Sequence, residues 1–387
     1  MPATLKLPYW RLSGFYFFYF AALGSFLPYW ALYLQSLGYS HAEIGQLMAV
    51  LPATKVISPN FWGWLADHTD RNVVLIRVSS CLSAASFGLM FYGSGYAWVA
   101  FATLLTGFFW NAPMPLFEGM TLGYLHHDAH RYSRIRLWGS VGFVSAVSLV
   151  GWALNTVLLI ECLPPLICGL FIGMALVALA LPTRSPRPQG VAAGSLWAIF
   201  RKPGVAAFFL ACLLIQIAHG PYYTFFSVYL KENGYDAGQT GLLWSLGIIA
   251  EIVLFGLCHG VFRRYSLRSV LLVATVLSGL RWLLIAWQVE HVAALASAQV
   301  LHAASFGAAH VAAMQFIHRY FPWPHQGKGQ ALYSSLSFGL GGMLGSYASG
   351  EVWVGLGPEF VFSAAAGLSL LAGLVVWAWV ERVPRSA

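Results

Sequence analysis

The chain has 387 residues, of which 59% are hydrophobic and only 9% are charged. Soluble globular proteins carry about 25% charged residues, so this composition excludes a cytosolic enzyme, a disordered regulator and a small disulfide-stapled domain. Lysine and arginine exceed aspartate and glutamate by 21 to 13, but they stand in short clusters between apolar runs, which excludes a nucleic-acid-binding face. The composition predicts an integral membrane protein.

Apolar runs of helical length follow one another along the whole chain. A bilayer core about 30 Å thick needs roughly 20 apolar residues per helix. These runs are continuously apolar and do not alternate, so membrane-spanning helices are predicted. We predict twelve of them, at residues 12–34, 44–65, 73–92, 97–118, 136–160, 164–181, 204–230, 240–260, 269–289, 291–317, 329–350 and 358–380.

The basic residues predict the orientation of these helices. Of the 21 lysines and arginines, 18 fall on the side that holds the N-terminus, Lys231 falls on the other side, and Lys55 and Arg281 lie within runs. Cytoplasmic loops carry an excess of lysine and arginine. We therefore expect a multi-pass protein of the cytoplasmic (inner) membrane with both termini in the cytoplasm.

The second half of the sequence repeats features of the first. Six residues recur 196 positions later, in the pairs Gly24/Gly220, Tyr33/Tyr229, Leu34/Leu230, Gly38/Gly234, Tyr39/Tyr235 and Gly45/Gly241. We predict two six-helix halves, residues 1–181 and 204–387, joined by a Pro-rich cytoplasmic linker at 182–203. Two parallel repeats of six helices are what alternating-access transport requires.

The segment between the second and third runs carries four positions of a known motif, Gly63, Leu65, Asp67 and Arg71. It resembles the cytoplasmic G-x-L-x-D-R-x-G-R loop of the major facilitator superfamily, although His68 and Asp70 replace the first Arg and the second Gly of that pattern. The resemblance implies that Gly63, Asp67 and Arg71 form a latch that holds one conformation. An ordinary polar turn is the alternative.

Four further segments, residues 16–20, 134–140, 244–251 and 301–302, resemble the lactose-permease-like branch of that superfamily, and most of all its 3-phenylpropionate transporter family. In the sugar permeases of this branch, a Glu late in helix four and an Arg at the start of helix five contact substrate. Glu118 and Arg136 stand at the same spacing of eighteen residues. The resemblance implies that they face substrate, and boundary residues are the alternative.

The same resemblance marks Glu251, Arg281 and His302 in helices eight, nine and ten. Ser305 stands where the sugar permeases carry the Glu that releases the coupled proton, so the resemblance leaves the proton's carrier open. We expect Glu251 to carry it, with Glu118 and then His302 as alternatives.

Membrane depth supports these residues independently. An ionisable side chain at the bilayer centre costs about 2.5–3.5 kcal/mol, so such residues mark functional sites. Lys55 lies about twelve residues into its run, too deep to reach either surface easily, and we expect it to face substrate. Glu251 and Arg281 are as deep, and we expect them to form an interhelical ion pair.

Tyrosines crowd the first and seventh runs, and we expect Tyr19, Tyr222 and Tyr223 to line the substrate path. His219 is interpreted as a packing or polar-network residue. The five cysteines show no CxxC spacing, and the sequence has no Walker loop, zinc signature or nucleophile elbow. No metal, cofactor or enzymatic activity is predicted, and the proton gradient is the expected energy source.

The predicted site charges are three positive, Lys55, Arg136 and Arg281, against two negative, Glu118 and Glu251. A small aromatic carboxylate would balance the surplus, so its proton-coupled uptake by a monomer is the leading hypothesis. A proton-coupled sugar or nucleoside carrier is the first alternative. A transport-inactive receptor or sensor is the alternative from another class.

Overall fold

The structure is a computed structural model, and it describes residues 7–125, 129–183, 199, 201–321 and 325–380. Helices account for nearly all of these residues, and the described ranges contain no strand. The all-helical class that the apolar runs predict is therefore confirmed.

The helices of the first part of the chain are connected by short turns. In chain order they are α1 (Tyr9–Ser36), α2 (His41–Thr69), α3 (Asn72–Phe87), α4 (Tyr96–Trp110), α5 (Pro113–Tyr124), α6 (Ala129–Thr156) and α7 (Leu163–Leu179). Helix α5 begins at Pro113, a residue that suits a first turn because an N–H there would lack an intrahelical partner. The break between α4 and α5 therefore lies six residues before Glu118, inside one predicted span.

The second part of the chain contains two π-helical segments, Ala303–Ala308 and Ser334–Gly341. Each connects two regular helices. A π-helical turn is wider than an α-helical one, and such segments are often found at functional sites. The regular helices are α8 (Pro203–Glu232), α9 (Ala237–Arg264), α10 (Leu267–Trp287), α11 (Val292–Val300), α12 (Ala309–Tyr320), α13 (Gln326–Tyr333) and α14 (Gly342–Trp379).

Ten segments of the described residues are long and apolar enough to cross a membrane. The last of them, residues 326–379, has 54 residues, and Gly357 interrupts it with a left-handed φ of 83° just before Pro358. Helix α2 has 29 residues but is not among the ten, and it carries Lys55 in its interior. The chain is a multi-span helical membrane protein, and the count of twelve stays a prediction.

The chain divides into two compact units, residues 1–39 with 50–190, and residues 40–49 with 191–387. The predicted halves differ from these units at residues 40–49. Those residues join the second unit because His41 pairs with Glu232 at 3.1 Å and Gln46 donates a hydrogen bond to Glu351 at 2.7 Å. Most of the predicted linker, residues 184–198 and 200, lies outside the described residues.

The 196-residue repeat corresponds to a repeated turn. Gly38 and Gly234 both adopt a left-handed φ, 86° and 84°, which glycine tolerates without strain. Each is followed by a helix whose start is capped by the same device: Ser40 with Glu43, and Asp236 with Gln239. These capping pairs are also 196 residues apart, although their residue types differ, so the repeat extends beyond the identical residues.

Candidate functional site

Each unit holds a cluster of polar side chains inside its helices. The amino-terminal cluster consists of Lys55, Glu118, Tyr132 and Arg136 with the rings of Tyr16 and Phe20. The carboxy-terminal cluster consists of Tyr222, Glu251, Arg281, Gln299, His302 and Ser305.

An acid and a base are paired at the centre of the amino-terminal cluster. Arg136 Nε lies 3.9 Å from Glu118 Oε1, and the Tyr132 hydroxyl donates to the same oxygen at 3.5 Å. The two charged side chains keep 33% and 39% of their surface exposed. A pair with this much exposure retains hydrogen-bonding capacity for a further ligand.

Aromatic rings and a glycine position Arg136. Its guanidinium lies 4.1 Å from the centre of the Phe20 ring and 5.4 Å from that of Tyr16, both within the range of cation–π attraction. One helical turn further along α6, a Cβ on Gly139 would lie 2.7 Å from Arg136 Nη1 and 2.8 Å from the Phe20 ring. Only glycine at this position leaves room for that stacking.

Lys55 and Tyr19 occupy different surroundings in the first unit. Lys55 is half-buried on α2 and interacts electrostatically with Glu118, so the first unit brings together three of the charges predicted from sequence. Tyr19 is 7% exposed and its ring contacts those of Phe15 and Trp110. Its ring is packed against other aromatic rings, and its predicted place along the substrate path stays a prediction.

Arg281 is the most enclosed charge of the carboxy-terminal cluster. It is fully buried, its Nε donates to the Ala298 carbonyl at 3.1 Å, and its Nη1 donates to Ser305 Oγ at 3.4 Å. Its guanidinium contacts the rings of Tyr222 and Trp282, at 4.2 and 4.3 Å from their centres. The sequence predicts an ion pair with Glu251, but the described contacts of Arg281 are to neutral groups instead.

Glu251 contacts a histidine. Its Oε2 lies 3.6 Å from His302 Nε2, and the two side chains are 13% and 4% exposed. The described contact of this acid is therefore an imidazole ring and not the guanidinium of Arg281. The predicted Glu251–Arg281 pair is not among the described contacts, since Arg281 Nε instead donates to the Ala298 carbonyl near the end of α11.

Tyr222 connects several members of the carboxy-terminal cluster. Its hydroxyl donates to Gln299 Oε1 at 2.8 Å. Its ring contacts the guanidinium of Arg281, and its ring centre lies 6.0 Å from that of His302. Tyr223 is half-buried beside it, with ring centres 5.5 Å apart. Both tyrosines predicted from sequence thus belong to the same aromatic group.

Four buried nitrogens of this region have no hydrogen-bond partner among the described residues. They are Arg281 Nη2, Gln299 Nε2, His302 Nδ1 and His219 Nε2. Of these, Arg281 Nη2 and Gln299 Nε2 are N–H donors, and since buried polar groups are normally hydrogen-bonded, these two unpaired donors indicate a missing acceptor. His219, which the sequence suggests is a packing residue, is held by the Ile215 carbonyl at 2.8 Å and lies against Trp282.

The motif at Gly63 is mostly helical. Helix α2 continues to Thr69, so only Asp70 and Arg71 form the turn before α3. Asp70 has a left-handed φ of 53°, which explains why the superfamily pattern has glycine at this position and why an aspartate can replace it. Asp67 and Arg71 are exposed, and the described part of the chain gives neither an ion-pair partner. The latch stays a prediction.

Sequence reasoning missed Tyr132 and Gln299. Tyr132 lies one turn before Arg136 on α6, an i, i+4 spacing that would have suggested a shared face. Gln299 is an amide within an apolar run, three residues before His302. No group of three or more His, Cys, Asp or Glu side chains that could hold a metal ion occurs within the described ranges.

Comparison with known proteins agrees with this architecture. The chain is 28% identical over 344 residues to the probable 3-phenylpropionic acid transporter of Escherichia coli K12. The alignment covers 87% of this chain and 88% of the relative. It is 29% identical over 388 residues to the maltose permease of Geobacillus stearothermophilus, covering 96% and 94%.

Solved transporter structures share the fold. The nucleoside transporter NupG superposes with a TM-score of 0.82 at 18% identity, covering 97% of this chain and 99% of that one. An auto-inhibited peptide transporter of the POT family gives 0.75 at 13% identity, with 97% of each chain covered. The model of the MFS_1 like family matches residues 9–364. The chain therefore belongs to the MFS_1 like family of the major facilitator superfamily, and it is a multi-pass membrane transporter of a small molecule and not an enzyme.

Proposed function

We propose that this transporter carries a small aromatic carboxylate into the cell together with protons, by alternating access. It would act as a monomer in the inner membrane with both termini in the cytoplasm. The single observation that carries the substrate class is the environment of Arg281.

Arg281 is a permanent cation with no acidic partner among the described residues. Arginine stays protonated in proteins, so burial cannot neutralise it. Its partners are the Ala298 carbonyl and the Ser305 hydroxyl, and Nη2 is unpaired. A buried charge of this kind is costly unless it is paired, and an anionic substrate would supply the missing charge.

The rings around Arg281 favour an aromatic substrate. Tyr222 and Trp282 cover the guanidinium, and Trp244 lies 4.6 Å from the Tyr222 ring centre. Aromatic pairs add stabilisation beyond buried area, which would suit a phenyl group next to its carboxylate. The name of the Escherichia coli relative, a probable 3-phenylpropionic acid transporter, supports the same class.

Glu251 and His302 are the proposed proton carriers. They form a contact of 3.6 Å in the unit that also holds Arg281. A substrate carboxylate at Arg281 would add negative charge to this unit, and a proton taken up by Glu251 or His302 would restore the balance. Substrate and proton would then be carried together.

A sugar or nucleoside is the second candidate, and the amino-terminal cluster favours it. Glu118 and Arg136 are paired and partly exposed, so they offer both an acceptor and donors to hydroxyl groups without requiring a charged ligand. The maltose permease and the nucleoside transporter NupG among the similar proteins support this alternative.

Binding to purified protein distinguishes the candidates. The ligands would be 3-phenylpropionate, its uncharged isostere 3-phenylpropionamide, maltose and uridine. We expect 3-phenylpropionate to bind, and the amide to bind at least about tenfold more weakly because it cannot neutralise Arg281. Arg281→Gln should remove this preference, whereas Arg263→Gln, which removes an exposed arginine of α9, should not.

Counterflow in proteoliposomes tests whether binding leads to transport. Vesicles loaded with unlabelled 3-phenylpropionate should take up the labelled compound, and vesicles without the protein should not. Saturable binding without counterflow would favour the receptor alternative. Counterflow of maltose or uridine but not of the acid would transfer the proposal to the second candidate.

A further inference from the structure

The buried amide of Gln299 has a fixed orientation and an unused donor. The side chain is completely buried, and its Oε1 accepts the hydrogen bond of the Tyr222 hydroxyl at 2.8 Å. This leaves Nε2 as the group available to a ligand, and Nε2 has no partner among the described residues. A buried N–H₂ group without an acceptor indicates that one is supplied from outside the chain.

The unpaired nitrogen of Arg281 belongs to the same small region. Arg281 Nε donates to the carbonyl of Ala298, the residue next to Gln299, and the guanidinium lies 4.2 Å from the centre of the Tyr222 ring. Tyr222 therefore contacts both side chains. Arg281 Nη2 and Gln299 Nε2 are both unpaired donors, and the two side chains that carry them both contact Tyr222.

A carboxylate has two oxygens and accepts hydrogen bonds only, which suits two unpaired donors on side chains that share Tyr222 as a contact. We propose that Gln299 Nε2 and Arg281 Nη2 bind the two oxygens of the substrate carboxylate, and that Tyr222 is a positioning residue that keeps the amide of Gln299 in the donating orientation. The inference rests on the proposed function, and it makes Gln299 a specificity-determining residue of the same site.

Replacing the amide with an acid should invert the specificity. In Gln299→Glu the new carboxylate would neutralise Arg281 and repel a second carboxylate, but it would accept a hydrogen bond from an amide N–H₂ group. We expect affinity for 3-phenylpropionate to fall about 100-fold or more, and affinity for 3-phenylpropionamide to rise above it. A gain of binding cannot result from misfolding, so this readout is independent of expression level.

Two further variants separate the donor from its positioning. Gln299→Leu removes the donor at similar volume, and we expect about a tenfold weaker affinity for 3-phenylpropionate and little change for the amide. Tyr222→Phe removes the hydroxyl that fixes the amide, which could then rotate to present Oε1. This variant should bring the affinities for 3-phenylpropionate and 3-phenylpropionamide closer together. Lost packing alone would weaken both affinities and would not change their ratio.

The matched control is Gln216→Leu, which removes another buried glutamine of the same unit. It should leave the affinity ratio of the wild type unchanged. Suppose that the unmodified protein binds 3-phenylpropionate and that both Gln299→Glu and Gln299→Leu keep its affinities. This result would overturn the role of Gln299 and leave the proposed function standing. Failure of the unmodified protein to bind any aromatic carboxylate would overturn the proposed function as well.

Discussion

The two units surround an intramembrane arginine in different ways. Arg136 in the first unit has an acid 3.9 Å away, and both partners are about one-third exposed. Arg281 in the second unit is fully buried and has a carbonyl and a hydroxyl as partners. Arg136 therefore contacts an acid directly, whereas the described contacts of Arg281 include none and the acid of its unit, Glu251, contacts His302 instead. The repeat preserves helices and turns while its two copies carry different chemistry.

The largest expected effect comes from removing the unneutralised arginine. Arg281→Gln should weaken binding of 3-phenylpropionate by about 100-fold or more, because a charged hydrogen bond contributes about 1.5–3 kcal/mol and the ion's charge is lost as well. The melting temperature should not fall, since a desolvated cation without an acid is removed.

The matched variant in the other unit is Arg136→Gln. It should weaken binding and also lower the melting temperature, because Glu118 would lose its partner. Isothermal titration and thermal unfolding of both purified variants measure these effects. Equal changes in melting temperature for the two variants would contradict the distinction between the units.

The second prediction concerns the proton. A pH gradient of one unit can drive about tenfold accumulation by a one-proton symporter with no other driving force. We expect Glu251→Gln to lose this accumulation while it retains counterflow, because the amide cannot carry a proton. Uptake into vesicles with an imposed gradient measures it. Undiminished accumulation would eliminate Glu251 and transfer the role to Glu118.

The third prediction tests how Arg136 is positioned. Gly139→Ala would place a Cβ against Arg136 Nη1 and Phe20, and we expect roughly tenfold weaker binding from the displaced guanidinium. Gly119→Ala is the control, because a Cβ there meets nothing within 4 Å. If both variants bind substrate equally well, the stacked position of Arg136 is not required.

The smallest effect is expected at the Gly63 motif. Asp67→Asn should slow counterflow by roughly twofold to fivefold and leave the order of substrate preference unchanged, because exposed charges contribute about 0.2–1 kcal/mol. Initial rates with a panel of substrates provide the measurement. A changed preference at a normal rate would place Asp67 in the binding site and not in a latch.

The features that depend on local spacing could be predicted from the sequence. The apolar runs located the helices, and the repeat identified Gly38 and Gly234, which share a left-handed turn. The motif spacing also selected Glu118 and Arg136, which contact each other at 3.9 Å, while their predicted contact with substrate stays a prediction. These features could be predicted because each depends on a spacing along the chain, which the sequence gives directly or which a resembled family shares.

The features that depend on which side chains meet between helices could not be predicted. Arg281 and Glu251 have similar depths, which suggested a pair, but depth does not specify the direction in which a side chain points around its helix. Gln299 escaped notice because a single neutral amide does not stand out in an apolar run. The common capping role of Ser40 and Asp236 was hidden because two different residue types perform it.

The first residues of α2 have a consequence for how the protein is made. Residues 40–49 belong to the second compact unit, and Gln46 bonds to Glu351, 305 positions later in the chain. Gly45 is so close to Gly350 that a Cβ on it would lie 2.6 Å from the Gly350 Cα. At synthesis rates of about 5–20 residues per second, this surface waits roughly 15 to 60 s for its partner. The Gly45 surface of α2 therefore stays without its Gly350 partner until nearly the whole chain has been made.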